Sequence, residues 1–547
     1  MNLGKNRRLA NIKTKMETGL DYVMSCIDLN TPYGKKILKE TKPFYPGQEE
    51  ELRIELDKID DMISFINENS KQVEHLLEVF MEIKDSTYTI ERSKKNPLSV
   101  VEIYEIKSLL LQMKKIEQLF AKSNTPMPEE FILEDTETLL DVLDPRKDRM
   151  NTFYIYDEFS EKLSCLRKQK REVELAIRKE QKGKKEQLRK EYGIALTPKF
   201  DVTVSKSGCE LENIRKIPDL EQTDEDYMCV TFELKKTEVV YGLIKEMEDI
   251  NTDIEEEETI VREMLSKEIS KYDTILLENC GKIGCLDVAL AKAIYSVKHS
   301  CVKPEIVEEH IIEIVEGRHL KVEDVLNSKK KKYCPISIAL KEGVTCITGA
   351  NMGGKTISLK LSGLIPILTQ YGFFVPCKSA KIGLSNYMQI LIGDSQSVER
   401  GLSSFGSEME ELKEILDNSM DRTILLIDEI ASGTNPIEGL ALTRSLVDFL
   451  MEKPYITLIT THFEAVTEKE GVLNMQVRGL ADVDFNLLDS ELKYANRKER
   501  INIISKYMDY RLYAVEKQGQ IPKDALNIAK MLGINSEIIK GAQKYIK

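Results

Sequence analysis

The chain is 547 residues long, 31% charged and 41% hydrophobic, lacks tryptophan and carries a formal net charge of −13. That length suggests three or four domains of roughly 100–200 residues each, and the surplus of charge suits long solvated helices better than one compact core. The negative balance excludes a general attraction to nucleic acid, so any such contact needs a local basic surface.

Ten cysteines form no CxxC pair, and the five histidines lie far in sequence from the closest two, Cys280 and Cys285. This leaves no ligand spacing for zinc. Met1–Thr18 is too charged for a signal peptide, and no apolar run approaches the ~20 residues that span a bilayer. Free thiols without an export signal predict a reducing, cytoplasmic setting and no membrane partner.

In chain order, residues 1–300 read as mostly helical. The stretch 159–197, "FSEKLSCLRKQKREVELAIRKEQKGKKEQLRKEYGIALT", is helical by composition and charge-rich on all sides. Within it, Arg167–Lys190 holds eleven basic and four acidic residues. "FDVTVSKS" (200–207) alternates like a strand. Residues 231–270 read as a returning helix, with eight carboxylates in Glu246–Glu258. Together these predict an arm that runs out and back with a small β element at its tip. The tip, Phe200–Phe232, holds three basic and eight acidic residues. "CGKIGCLDVALAKAIY" (280–295), apolar at 286, 290, 293 and 294, returns the chain to the body.

"GANMGGKT" (349–356) fits the phosphate-binding pattern G-x-x-x-x-G-K-[ST]. Val344–Thr348 before it is a short buried strand. Ile357, Leu361, Leu364, Ile365 and Leu368 after it share a helical face, so the motif sits in the strand–loop–helix context that it requires. In that geometry the backbone of Gly349, Ala350, Asn351, Met352, Gly353 and Gly354 cradles the phosphates of ATP at a helix N-terminus. Lys355 reaches the β- and γ-phosphates, and Thr356 offers its hydroxyl oxygen to Mg2+. "TILLIDEIASGTNPIEG" (423–439) supplies a second strand ending in Asp428-Glu429: Asp428 to hold Mg2+, commonly through water, and Glu429 to polarise the attacking water. A third strand, "YITLITTHF" (455–463), ends near His462, which could touch the γ-phosphate. A lone histidine at a strand end is usually structural. Three strand ends on one sheet edge favour the catalytic reading and predict an ATPase.

These segments together resemble the MutS family, an ABC-type branch of P-loop ATPases, and the Asn351-Met352-Gly353-Gly354 filling of the loop points there. "EGRHL" (316–320) resembles the family's lead into its ATPase domain. "GFFVPC" (372–377) resembles its strand entry after the first ATPase helix, and "GQIPKDALNIAKMLGINSEIIKGAQKYI" its closing helix-turn-helix. Tyr333, in "YCPISIAL", falls where the family sets an aromatic residue against adenine. Gln396, in "GDSQSVERG", resembles a Mg2+-sensing glutamine. Ser403 or Ser404, in "GLSSFGSEMEEL", resembles the serine that reaches the ATP of the opposite subunit. "IASGTNPIEGLAL" (430–442) resembles the dimer-contacting loop, with Ala431 where a glycine is usual.

The resemblance implies a multidomain chain: a long α-helical lever and clamp core, then an α/β ABC-type P-loop ATPase domain with a C-terminal helix-turn-helix. It assigns 1–158 to a helical core, 159–275 to the arm (tip about 198–232), 276–320 to a helical return and connector, and 321–547 to the ATPase domain with its dimerising helices. The family's mismatch-reading domain and its nuclease-like Smr tail are not expected. The aromatics and glutamates of "YIYDEFSE" (154–161) open a long helix and are not a mismatch wedge. A second MutS-type subunit, identical or related, is implied, because the serine acts in trans. The client stays open between branched or distorted DNA and a protein, such as a coenzyme-B12-dependent aminomutase to be reactivated. The basic shaft favours the first and the acidic tip the second.

Overall fold

The computed structural model describes residues 8–349, 354–393, 404–479, 483, 488, 491, 503, 507, 509–515 and 524–545. It divides into two compact units, one of Glu82–Gln118 with Ile132–Lys282, the other of Met1–Met81, Leu119–Phe131 and Ile283–Lys547. Among the described residues, no helix is long and apolar enough to cross a membrane.

Two long helices dominate the first unit. Glu161–Tyr192 begins at Ser160, whose side chain accepts from Leu163 N, and stops at Gly193, where φ is 70°. The return, Glu238–Lys271, begins at Thr237, whose side chain accepts from Val240 N. Both starts satisfy a backbone donor that the first turn leaves open. The helices run antiparallel and are joined by Lys162–Glu257 at 3.1 Å and Arg167–Glu258 at 2.7 Å. The outgoing helix is not charged on all sides, because Leu163, Leu166, Val173 and Leu188 make a buried stripe along it. Elsewhere in this unit the buried Lys107 ammonium lies 3.1 Å from Asp144, with Thr152 O and the Tyr156 hydroxyl completing its shell. A buried charge without such partners would be strongly destabilising.

At the arm's end stand β1 (Asp201–Ser205), β2 (Leu220–Glu225) and β3 (Cys229–Leu234), antiparallel in the order β1-β3-β2. Val204 faces Val230 and Val202 faces Phe232. The alternation expected of "FDVTVSKS" thus puts one set of side chains on a core with Ile214, Leu220 and Leu188.

The second unit holds two sheets built from β4 (Glu305–Val307), β5 (Ile311–Gly317), β6 (Ile336–Lys341), β7 (Gly343–Thr348), β8 (Ser379–Gly383), β9 (Tyr387–Ile392), β10 (Thr423–Asp428), β11 (Tyr455–Thr460), β12 (Leu473–Gly479) and β13 (Asp509–Ala514). The stretch 276–320 is helical through Lys298 and continues as β4 and β5. The smaller sheet runs β4-β8-β5-β6 and the larger β13-β12-β7-β11-β10-β9. In the larger sheet every pairing is parallel except β12 with β13. In "GFFVPC" Val375 makes an isolated bridge to Val302, and the strand proper begins at Ser379. Pro376 between them has no N–H to extend the ladder.

Near-continuous apolar runs such as "TILLID" are what a parallel strand covered on both faces requires. Ile347, Leu426 and Leu458 pack on one face with Leu359, Leu361 and Leu364 of the buried helix Gly354–Gln370. Cys346, Leu425, Ile427 and Ile459 pack on the other with Leu446, Val447 and Leu450 of the helix Pro436–Met451. Truncating one of these leucines to alanine costs about 2–5 kcal/mol.

The N-terminal residues join the first of these cores through Leu9, Leu20 and Val23. The helix Ile12–Thr18, capped by Asn11, is pinned to β9: Thr14 Oγ1 donates to Gln389 Oε1 at 2.7 Å and accepts from Ile390 N at 3.2 Å. Ion pairs tie it to the helix Ser404–Asn418 through Lys13–Glu411 at 2.8 Å, and to Gly354–Gln370 through Lys360–Glu17 at 2.7 Å. Toward the C-terminus, Asp524–Met531 and Ser536–Tyr545 form two helices.

Candidate active site

The register of the central strands aligns three chain ends. Asp428 of β10 stands opposite Thr460 of β11, and Thr460 opposite Ile347 of β7. Past Thr348 the chain turns at Gly349, whose φ of 116° suits glycine. Gly354 opens the helix that carries Lys355 and Thr356 in its first turn. A Cβ on Gly354 would lie 3.1 Å from the Tyr510 ring and 3.2 Å from Val477, so a side chain there would require these neighbours to give by a few tenths of an ångström.

Thr356 Oγ1 donates to Asp428 Oδ2 at 2.9 Å, and Thr460 Oγ1 donates to the other carboxylate oxygen. Two hydroxyls therefore fix the plane of Asp428. Glu429, at a φ of 52°, is left-handed, and its N–H is held by Thr460 O at 3.1 Å. Strain at such a residue persists only where the surroundings enforce it. Glu429 Oε1 lies 2.8 Å from His462 Nε2 and 3.3 Å from Lys355 Nζ. Lys355 is 3% exposed. Burial lowers its pKa below the ordinary lysine value, while the Glu429 and Asp428 carboxylates oppose that shift.

A second support lies behind the Asp428-Glu429 corner. Ala431 is also left-handed, at a φ of 59°, and its N–H donates to Glu408 Oε2 at 3.1 Å. Glu408, on the helix Ser404–Asn418, is buried, which raises its pKa; the Ala431 N–H partly offsets the effect.

The structure thus brings together Lys355, Thr356, Asp428, Glu429 and His462, with Gly349 and Gly354 flanking them. Tyr333 is not part of this cluster. It is buried, its hydroxyl accepts from His319 N at 3.1 Å, and burial pushes its pKa up to about 12. Ser404 opens its helix. Ala350, Asn351, Met352, Gly353, Gln396 and Ser403 lie outside the described residues. Sequence reasoning missed Thr460 and Glu408. A signal existed for Thr460, a polar residue closing an otherwise apolar strand. Glu408 gave only a weak one, a carboxylate with no basic residue four positions away on its helix. A cavity of about 980 Å3, lined among others by Met16, Met24, Leu38 and Tyr371, lies elsewhere in this unit, and none of the cluster residues lines it.

Among the described residues, no group of three or more His, Cys, Asp or Glu is arranged to hold a metal. Magnesium, however, is held by one or two carboxylates together with phosphate oxygens and waters. One carboxylate and one hydroxyl 2.9 Å apart at a strand end fit an ion that arrives with a phosphate. The buried Lys355 ammonium beside them fits the anion that would accompany it.

A helical arm joined to mixed α/β sheets, with this polar cluster where a glycine-rich loop enters a helix, defines the class of molecule. Residues 345–547 match MutS domain V. The chain is 31% identical over 307 residues to Endonuclease MutS2 of Fusobacterium nucleatum subsp. nucleatum, covering 54% of this chain and 36% of that protein. It is 34% identical over 238 residues to Endonuclease MutS2 of Clostridium botulinum, covering 40% and 29%. It is 30% identical over 349 residues to the DNA mismatch repair protein MutS of Salinibacter ruber, covering 60% and 35%. The chain belongs to the MutS family, and it spans about a third of the length of these curated relatives.

Proposed function

We propose that this chain is an ATP hydrolase working as a nucleotide-switched dimeric clamp on duplex DNA, branched or distorted, with 321–547 as the ABC-type P-loop engine. The observation that carries the reading is the meeting of Lys355, Thr356, Asp428, Glu429 and His462 at the ends of β7, β10 and β11. Lys355 exchanges the Glu429 carboxylate for the β- and γ-phosphates and neutralises charge that develops on them. Thr356 and Asp428 would hold Mg2+, which when bound would screen the phosphate oxygens. Glu429, released from Lys355, takes the proton of the attacking water, and His462 keeps the carboxylate oriented. The resemblance assigns Tyr333 to the adenine, for which its buried ring would have to be uncovered, Gln396 to the metal, and Ser403 or Ser404 to the γ-phosphate of a partner subunit, identical or related.

The names of the relatives, a mismatch repair protein and an endonuclease, support DNA as the client. The acidic tip, with Tyr227 and Met228 96% and 70% exposed, favours a second reading, in which the same engine remodels a protein such as a coenzyme-B12-dependent aminomutase. Phosphate release by the purified chain, measured with and without duplex or junction DNA, tests the proposal. Release no greater than that of a Glu429→Gln variant would remove the hydrolase. Active enzyme that shifts no DNA at about 50 mM salt would turn the choice to the protein client.

A further inference from the structure

The helix Glu161–Tyr192 has two sides of opposite character. At about 100° per residue, its buried stripe of Leu163, Leu166, Val173 and Leu188 defines one side. Lys168, Arg171, Arg178, Lys179, Lys182, Arg189 and Lys190, all exposed, fall within a sector about 120° wide on the opposite side. That sector contains three carboxylates, Glu161, Glu172 and Glu186, and at its centre the exposed Leu175.

An ordinary solvated helix face mixes charge and satisfies it locally. Here the acidic return helix answers a different set of cations, through Lys162–Glu257 and Arg167–Glu258, and Lys184 answers Asp219. Among the described residues, none of the seven outward cations makes an ion pair. Arg178 and Lys182, four apart on a helix, repel by a few tenths of a kcal/mol, and neither pairs with Glu174 or Glu186, the carboxylates four residues to either side of them. From Lys168 to Lys190 the row is roughly 33 Å long at about 1.5 Å per residue. One turn of B-form DNA measures about 34–36 Å.

We propose that duplex DNA lies along the shaft of the arm, its phosphates facing Lys168, Arg171, Arg178, Lys179, Lys182, Arg189 and Lys190, and not at the acidic β tip. The inference rests on the DNA reading above and specifies where the duplex sits. Phosphate contacts of this kind fix position without reading sequence, so the shaft binds duplexes of any sequence alike.

The test uses the full chain and a fluorescent 30-base-pair duplex titrated across a salt series. The Arg171→Gln/Arg178→Gln/Lys182→Gln/Arg189→Gln variant replaces exposed cations with another good helix former, and circular dichroism checks that the arm stays helical. The salt slope of its affinity is expected to fall by about one for each contacting cation, up to about four, with affinity at about 100 mM salt weakened at least tenfold. A tip variant, Glu221→Gln/Asp224→Asn/Glu225→Gln, is expected to keep the wild-type slope. Unchanged slope and affinity in the shaft variant, beside a wild type that binds, would overturn the shaft assignment and leave the DNA reading standing. A wild type that binds no duplex at low salt, yet hydrolyses ATP, would overturn the DNA reading itself.

Discussion

Lys355 Nζ lies 3.3 Å from Glu429 Oε1, so the lysine read as a phosphate ligand and the carboxylate read as a base neutralise each other in the described arrangement. Binding and hydrolysis should separate at this pair. Lys355→Ala should weaken ATP binding by about 10- to 100-fold or more, because a charge-assisted contact is lost. Glu429→Gln should bind ATP at least as tightly as wild type while hydrolysis falls about 100- to 10,000-fold. Titration with a fluorescent nucleotide alongside phosphate release measures both. Equal loss of binding in the two variants would contradict the division of roles.

Thr460 holds one Asp428 oxygen through its hydroxyl and the Glu429 N–H through its carbonyl. Thr460→Val keeps the shape and the strand but removes the hydroxyl. It should cost about 1–3 kcal/mol of stability, raise the Mg2+ concentration needed for half-maximal hydrolysis, and leave Mg2+-free nucleotide binding unchanged. Calorimetric melting and a Mg2+ titration of the ATPase rate check this.

Glu408 accepts the N–H of Ala431, two residues past Glu429. Glu408→Ala strands that donor and should lower hydrolysis while ATP affinity holds, whereas Glu408→Gln retains an acceptor and should keep most of the rate. A Gln variant as impaired as the Ala variant would mean the carboxylate does something other than hold this corner. Ala431→Gly relieves about 1 kcal/mol of left-handed strain and should not lower the melting temperature.

His319 is buried, with neither ring nitrogen hydrogen-bonded among the described residues, and burial pushes its pKa down to about 4. The unfolded chain, with a histidine pKa of about 6.5, takes up the proton first. The contribution of neutral His319 to stability is therefore full above about pH 6.5 and is lost as the pH falls toward 4, an effect of about 3 kcal/mol at most. Denaturant unfolding across that range should show the decline, and His319→Leu should flatten part of it.

Much of the larger sheet can be read from the chain, because buried parallel strands leave short apolar runs and their ends carry the polar residues. Asp428, Lys355 and Thr356 announce themselves in this way. What stayed hidden depends on approaches that no local pattern encodes. Thr14 meets Gln389 across 375 positions, and the left-handed turn at Glu429 falls on a glutamate, not on Gly433 four residues later. The arm gave a subtler error. Its outgoing helix read as uniformly charged because its apolar residues are few and widely spaced, yet Leu163, Leu166, Val173 and Leu188 suffice to orient it and so to separate one side from the other.

The seven residues of Ile12–Thr18 are a splint. One end is fastened by Lys13 to the helix that Ser404 opens, the other by Glu17 to the helix that holds Lys355 and Thr356. A short rigid rod fixed at both ends cannot follow one anchor without loading the other. The two ion pairs thus link the helix Gly354–Gln370 to the helix Ser404–Asn418 at Glu411 through about 10 Å of helix, a route that does not cross the sheet.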